Sequence, residues 1–162
     1  MIRLLEDKIK SPDKLKRIVS YLKKHGERIV FTNGCFDILH YGHVKYLQEA
    51  KRKGDCLIVA VNSDASVRKI KGSKRPIVRQ KDRLRIVAAL ESVDYVASFN
   101  QTTPLEIIKI LKPDVLIKGS DWDKNDIVGK DIVLKYGGRV HTIKLVKNRS
   151  TTAIIKKVAQ AR

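Results

Sequence analysis

The chain has 162 residues, 43% of them hydrophobic, which is the size of one ordinary domain with a real core. Its 35 Lys and Arg against 17 Asp and Glu leave a net charge of +18, which points either to anionic partners or to the Lys-rich solvated surface of heat-adapted proteins. No stretch nears the ~18–20 apolar residues of a membrane span, the N-terminus lacks the apolar core of a signal peptide, and two cysteines, Cys35 and Cys56, are too few for a disulfide framework and contain no CxxC zinc spacing; a cytoplasmic protein with reduced thiols and no membrane partner is expected.

In chain order, Pro12–Lys24 has the period of an amphipathic helix. Short apolar runs rich in Val and Ile then alternate with longer amphipathic segments. The runs are Arg28–Thr32, Cys56–Val61, Tyr95–Phe99, Asp114–Lys118 and Arg139–Ile143. They are continuous rather than alternating, the pattern of strands covered on both faces. Between them helices are predicted over Gly42–Lys53, Ser63–Ile70, Gln80–Leu90, Thr103–Leu111 and Lys130–Tyr136, with a last one over Thr151–Ala161. Asp64, Asp82 and Thr103 suit caps or first turns, and Gly54, Gly137, Gly138 and Pro113 suit helix ends. Repeated strand and helix predict an α/β domain: a doubly wound, Rossmann-like, five-stranded parallel sheet. A single domain is expected over 1–162, with a core over 28–157 and a helical extension over 1–25. The apolar faces of that extension serve either packing on its own domain or a homodimer.

Such sheets bind ligands beyond the carboxyl ends of the strands, where strand order reverses. With the first strand central, the ends of strands one and four share a crevice. These are Asn33, Gly34, Cys35, Phe36 and Asp37, and Lys118, Gly119, Ser120 and Asp121. Gly34 lets the backbone turn close to a ligand. His40 and His43 fall on one side of a first helical turn, with Gly42 leaving space between them. Two imidazoles beside a helix N-terminus make a phosphate site of adjustable charge. A metal site would need further ligands, and only Cys35 is at hand; none is expected. Between Arg68 and Arg85 nine cations, among them Lys71, Arg75 and Arg83, face one acid, Asp82.

His40-Tyr41-Gly42-His43, preceded by a Val-Phe strand and Gly34-Cys35-Phe36-Asp37, resembles the HxGH signature of the nucleotidyltransferase superfamily that includes the class I aminoacyl-tRNA synthetases. The resemblance is closer still to the adenylyltransferase half of the bifunctional heptose 1-phosphate kinase/adenylyltransferases of lipopolysaccharide synthesis. It runs through Thr32–His43, Ile58–Val67, Lys71-Gly72, Arg75-Pro76, Ala88–Val96, Pro113–Trp122 and Ser150–Ile155, nearly the whole chain. Two positions depart from that family: Ser120 stands where a second Gly is usual, and Arg149 precedes Ser-Thr-Thr where a small residue is usual.

The resemblance implies transfer of AMP from ATP to a sugar 1-phosphate with release of pyrophosphate, Mg²⁺ accompanying the nucleotide. His40 and His43 would donate to the phosphates, and Lys71, Arg75 and Arg83 would hold the triphosphate or the incoming phosphate. Asn62 and Asp64 would meet the sugar, and Lys118, Gly119 and Asp121 the ribose or base. Asp37 either caps a helix or accepts hydrogen bonds beside the phosphate loop. Ser150, Thr151 and Thr152 either cap the last helix or contact phosphate as well. Trp122 stacks on a base or fills a loop. Cys35 has no base beside it and is a small loop residue. A cytidylyltransferase acting on glycerol 3-phosphate is the near alternative. A nucleic-acid-binding protein is the distant one; with 6% aromatic residues and no recognisable module, specific nucleic-acid binding is not expected.

Overall fold

The computed structural model describes residues 4–121, 123 and 126–161. Trp122 lies outside them. The elements in chain order are α1 (Leu5–Lys8), α2 (Pro12–Lys24), β1 (Ile29–Gly34), α3 (Tyr41–Lys51), β2 (Cys56–Asn62), α4 (Asp64–Lys71), α5 (Gln80–Ala88), β3 (Tyr95–Phe99), α6 (Leu105–Leu111), β4 (Val115–Gly119), α7 (Lys130–Lys135), β5 (Arg139–Ile143) and α8 (Thr151–Gln160). The strands form one five-stranded sheet in the order β3-β2-β1-β4-β5, parallel throughout. β1 is central, and the order reverses on either side of it.

Because both sheet faces are covered, successive strand residues alternate between two apolar cores. Phe31, Ile58, Ala60, Ala97 and Leu116 pack on one face with Leu15 and Val19 of α2 and Ile108 and Leu111 of α6. Val30, Val59, Val61, Val96 and Ile117 pack on the other with Leu47 and Ala50 of α3 and Val87 of α5. The N-terminal helix α2 therefore contributes to the chain's own core. Ser11 caps it, accepting from Lys14 N, with Pro12 at its first position.

The N-terminal ends of the strands are knit by carboxylates. Asp114 accepts from Ile29 N and Lys23 Nζ, both at 2.8 Å. Asp94 accepts from Leu57 N at 2.6 Å and Lys51 Nζ at 2.5 Å, and Asp55 accepts from Arg28 N at 2.8 Å. The opposite end is left for the site.

Several boundaries differ from the sequence expectation, among them three strand ends at that open end. β1, β2 and β4 each run on to Gly34, Asn62 and Gly119, so these residues finish strands instead of beginning loops. Thr103 does not open α6; Pro104 precedes its first residue. α5 stops at Ala88. The short α1 was not expected. Lys8 ties it down, donating to Leu90 O at 3.2 Å and Val93 O at 2.8 Å.

Candidate active site

A cavity of about 460 Å³ opens at the carboxyl ends of β1, β2 and β4. Asn33, Gly34, Cys35, Phe36, Asp37, His40, Gly42 and His43 line one wall. Asn62, Lys71, Arg75, Lys118, Gly119, Asp121, Arg149, Ser150, Thr151 and Thr152 line the rest, with Tyr46, Thr102, Thr103 and Pro104.

The loop between β1 and α3 shapes the centre. Phe36 holds a left-handed backbone (φ 44°), a costly conformation for a bulky residue that only surrounding contacts can maintain. Its ring supplies them. A Cβ on Gly34 would come within 2.9 Å of that ring, and the ring lies 5.2 Å from His43. His40 sits at the N-cap of α3, and its ring stacks on His43 with centroids 3.9 Å apart and planes at 25°. Gly42 makes this possible: a Cβ there would stand 2.9 Å from two atoms of the His40 ring and 3.2 Å from the Cβ of Arg149.

Electrostatics keep both imidazoles neutral. Burial, then the neighbouring His40, pushes His43 down to about 4. Burial, then the Arg149 guanidinium, lowers His40 as well. The Nδ1 atoms of both rings are buried without a hydrogen-bond partner. An unsatisfied buried polar atom is expensive, and here two of them border a cavity. Lys118 donates to Asn33 Oδ1, and burial lowers its amine to about 8 against the opposing pull of Asp121. Burial raises the Cys35 thiol above its ordinary value although Lys71, Arg83 and Arg75 oppose it, so it stays protonated, in keeping with a loop residue.

Asp37 is 2% exposed and is no cap, since α3 begins at Tyr41. Its carboxylate accepts from Ile77 N at 2.9 Å, Val78 N at 2.8 Å and Arg75 Nε at 2.5 Å. Burial works against its ionisation, but the two backbone N–H groups and the guanidinium outweigh it and hold the carboxyl below its usual range. Asp37 thereby fastens the basic segment after α4 to the β1–α3 loop.

Two expected site residues do not line the cavity. Arg83 is 0% exposed. Its guanidinium donates to Val78 O at 2.9 Å, Cys35 O at 2.6 Å and Asp64 Oδ1 at 2.7 Å. In this structure its guanidinium is committed to these protein acceptors and does not reach the cavity lining. Asp64 pairs with it through Oδ1 and lies outside the cavity lining. Asn62 does line the cavity, while its amide donates to Ser66 Oγ at 2.9 Å. Ser150 caps α8, accepting from Ala153 N at 3.1 Å, and Thr151 Oγ1 donates to Ile38 O at 3.3 Å. Ser120 lies outside the cavity lining, its N–H donating to Ile143 O at 2.9 Å.

Sequence reasoning missed Thr102, Pro104 and Tyr46 and treated Arg149 only as a departure from a pattern. The hydroxyls of Tyr46 and Thr32 share a hydrogen bond of 2.7 Å, and Thr32 also donates to Ile117 O at 3.1 Å. A polar aromatic three residues beyond His43 was the available signal. Of the nine clustered cations, Lys71 and Arg75 line the cavity. Among the described residues, no helix is long and apolar enough to cross a membrane, and no three His, Cys, Asp or Glu side chains form a group able to hold a metal ion.

A parallel sheet reversing at β1, with a stacked His-x-Gly-His pair and lysine and arginine side chains lining the cavity at the reversal, defines a nucleotidyltransferase. The chain belongs to the cytidylyltransferase-like family, which it matches over residues 31–157. It is similar to the bifunctional protein HldE of Geobacter metallireducens, with 54% identity over 95% of this chain and 31% of that protein. It is also similar to the HldE of Wolinella succinogenes, with 50% identity over 94% of this chain and 31% of that protein. The chain thus spans about a third of the length of these curated relatives. Among solved structures it resembles the lipopolysaccharide core biosynthesis protein of Thermoplasma volcanium, with 31% identity over 76% of this chain and all of that one, at a TM-score of 0.63. The resemblance drawn from the motifs holds.

Proposed function

We propose that this chain transfers AMP from ATP to D-glycero-β-D-manno-heptose 1-phosphate, releasing pyrophosphate and giving an ADP-sugar for lipopolysaccharide core synthesis. The observation that carries nucleotidyl transfer is the pair of neutral, stacked histidines with orphaned Nδ1 atoms beside Lys71, Arg75 and Lys118. Similarity to HldE proteins and to a lipopolysaccharide core biosynthesis protein supports the sugar.

In this reading an oxygen of the acceptor phosphate attacks the α-phosphorus in line, and the bond to the β-phosphate breaks. The protein's work is positioning and charge neutralisation. His40 and His43 donate N–H groups to phosphate oxygens that gain charge in the transition state. Being neutral beforehand, each also has an acceptor nitrogen, and arrival of a polyanion favours protonation of both. Lys71 and Arg75 take phosphate oxygens, Arg75 from a position set by Asp37. Asn33 and Lys118, with Gly119 and Asp121, form the nucleoside side, and Asn62 the acceptor side. The start of α8 at Ser150, Thr151 and Thr152 adds backbone N–H groups. Mg²⁺ would belong to the nucleotide substrate and would neutralise part of its phosphate charge, with no protein carboxylate cluster among the described residues called upon to hold it.

The test is pyrophosphate release with Mg²⁺ and each of ATP, CTP, GTP and UTP, using heptose 1-phosphate and glycerol 3-phosphate as acceptors. Release with ATP and the heptose is expected, falling at least about a hundredfold in His43→Ala. Release with CTP and glycerol 3-phosphate would replace this reading by the cytidylyltransferase one, which the family's name favours.

A further inference from the structure

Three arginines surround the histidine loop, and their guanidinium groups are in different states. Arg83 is buried on Asp64 and two carbonyls. Arg75 is tied through Nε to Asp37. Arg149 lines the cavity and is exposed; among the described residues it has neither an ion pair nor a side-chain hydrogen bond. A guanidinium fork with no protein carboxylate to fill it, at the wall of the cavity, has the geometry to take a phosphate through two N–H groups.

Its placement is set by the chain. Asn148 takes a left-handed turn (φ 57°) immediately before it, a conformation Asn tolerates. Ser150 immediately after it caps α8, whose first turn carries no acid. The base of the Arg149 side chain abuts Gly42, whose added Cβ would meet the Arg149 Cβ at 3.2 Å and the His40 ring at 2.9 Å. Arg149 and His40 therefore share one corner of the cavity, close enough that the guanidinium depresses the protonation of the imidazole.

We propose that Arg149 is a catalytic arginine of this nucleotidyltransferase, binding the terminal diphosphate of the nucleoside triphosphate that leaves as pyrophosphate. In the reaction one P–O bond forms between the acceptor phosphate oxygen and the α-phosphorus. The bond from the α-phosphorus to the bridging oxygen breaks, and its electron pair leaves on pyrophosphate, with no oxidation or reduction. Negative charge grows on the leaving group as that bond lengthens. A guanidinium bound there stabilises the transition state more than the ground state. It also relieves its own repulsion with His40, because the polyanion between them favours both positive charges.

The experiment measures equilibrium binding of inorganic pyrophosphate, ATP and AMP, each with Mg²⁺, to the intact chain and to Arg149→Ala and Arg149→Lys. Pyrophosphate is common to every nucleoside triphosphate, so its binding tests Arg149 whatever base and acceptor the enzyme uses. The expected result for Arg149→Ala is a loss of about 10–100-fold for pyrophosphate and ATP, an AMP affinity within about twofold of the parent chain, and an unchanged melting temperature. Arg149→Lys should recover part of the loss, and millimolar guanidinium should restore part of the turnover of Arg149→Ala. Equal losses for AMP and pyrophosphate, unchanged pyrophosphate binding, or a parent chain that binds no pyrophosphate would each overturn the proposal.

Discussion

Gly42→Ala separates catalysis from stability in a single methyl group. Gly42 is the second residue of α3 and has ordinary helical backbone, so alanine fits the main chain and should favour the helix by about 0.5–1 kcal/mol. The new Cβ, however, would stand 2.9 Å from Cε1 and Nδ1 of His40. To restore normal contact the ring must retreat by about half an ångström or more. It cannot advance toward His43, whose ring already stacks at 3.9 Å. The Cβ of Arg149, which the new methyl would approach to 3.2 Å, must give way slightly too. Overpacking of this kind costs about 1–3 kcal/mol, which the helix gain partly offsets, leaving a net loss between about 0 and 2.5 kcal/mol. A misplacement approaching 1 Å at a reacting group costs about a hundredfold in rate. Steady-state pyrophosphate release should therefore fall by one to two orders of magnitude while urea unfolding of the same preparation moves little. Turnover within threefold of the parent would refute the idea that this glycine exists to seat the histidines. An activity loss matched by a large loss of stability would refute it equally.

Two further outcomes follow from the same geometry. His43 has its folded value depressed to about 4 from an unfolded value of 6.5, so the unfolded chain binds the extra proton between those limits and stability falls as pH drops from about 6.5 toward 4. The contribution is on the order of 2–3 kcal/mol; urea unfolding at pH 7 and pH 4.5 should show it, and His43→Gln should flatten the slope, whereas an unchanged slope would mean the ring is not held neutral. Arg83→Met removes a fully buried guanidinium and strands Asp64 and the carbonyls of Cys35 and Val78. A stability loss of about 3–5 kcal/mol is expected in calorimetry, and a variant as stable as the parent with turnover abolished would return Arg83 to the phosphates.

Strands β1 to β4 were legible because burial on both faces writes an apolar run, whereas β5, at the sheet edge, is exposed or half-buried until Ile143 and is mostly polar. Tyr95–Phe99 and Arg139–Ile143 match the observed strands at both ends. The histidine loop was legible because its chemistry is local: strand, turn, two imidazoles and the glycine between them occupy one short segment. Arg83 was not. It stands in a run rich in charged residues, like many a surface helix, and two of its three partners, Asp64 and Cys35, come from segments far back in the chain, while Val78 lies just before its own helix. Only the assembled fold reveals that the cluster of cations contains one buried clamp. Asp37 fell between the two cases, since its position beside the loop was evident but its backbone partners, forty residues onward, were not. Arg149 and Thr102 reach the cavity from loops after β5 and β3, which no periodicity locates.

The carboxylates that stitch the strand beginnings have an effect on how ligands arrive. Asp94 and Asp114 are matched there by Lys51 and Lys23, so these two carboxylates are neutralised locally. At the opposite pole Lys71 and Arg149 form no ion pair among the described residues. These cations set a positive local field at the cavity mouth of a chain whose net charge is +18. An approaching polyanion is drawn and oriented toward the cavity mouth before any contact forms, and its capture rate should decline steeply with added salt. The surplus of positive charge acts in this way as an antenna whose gain the ionic strength of the medium controls.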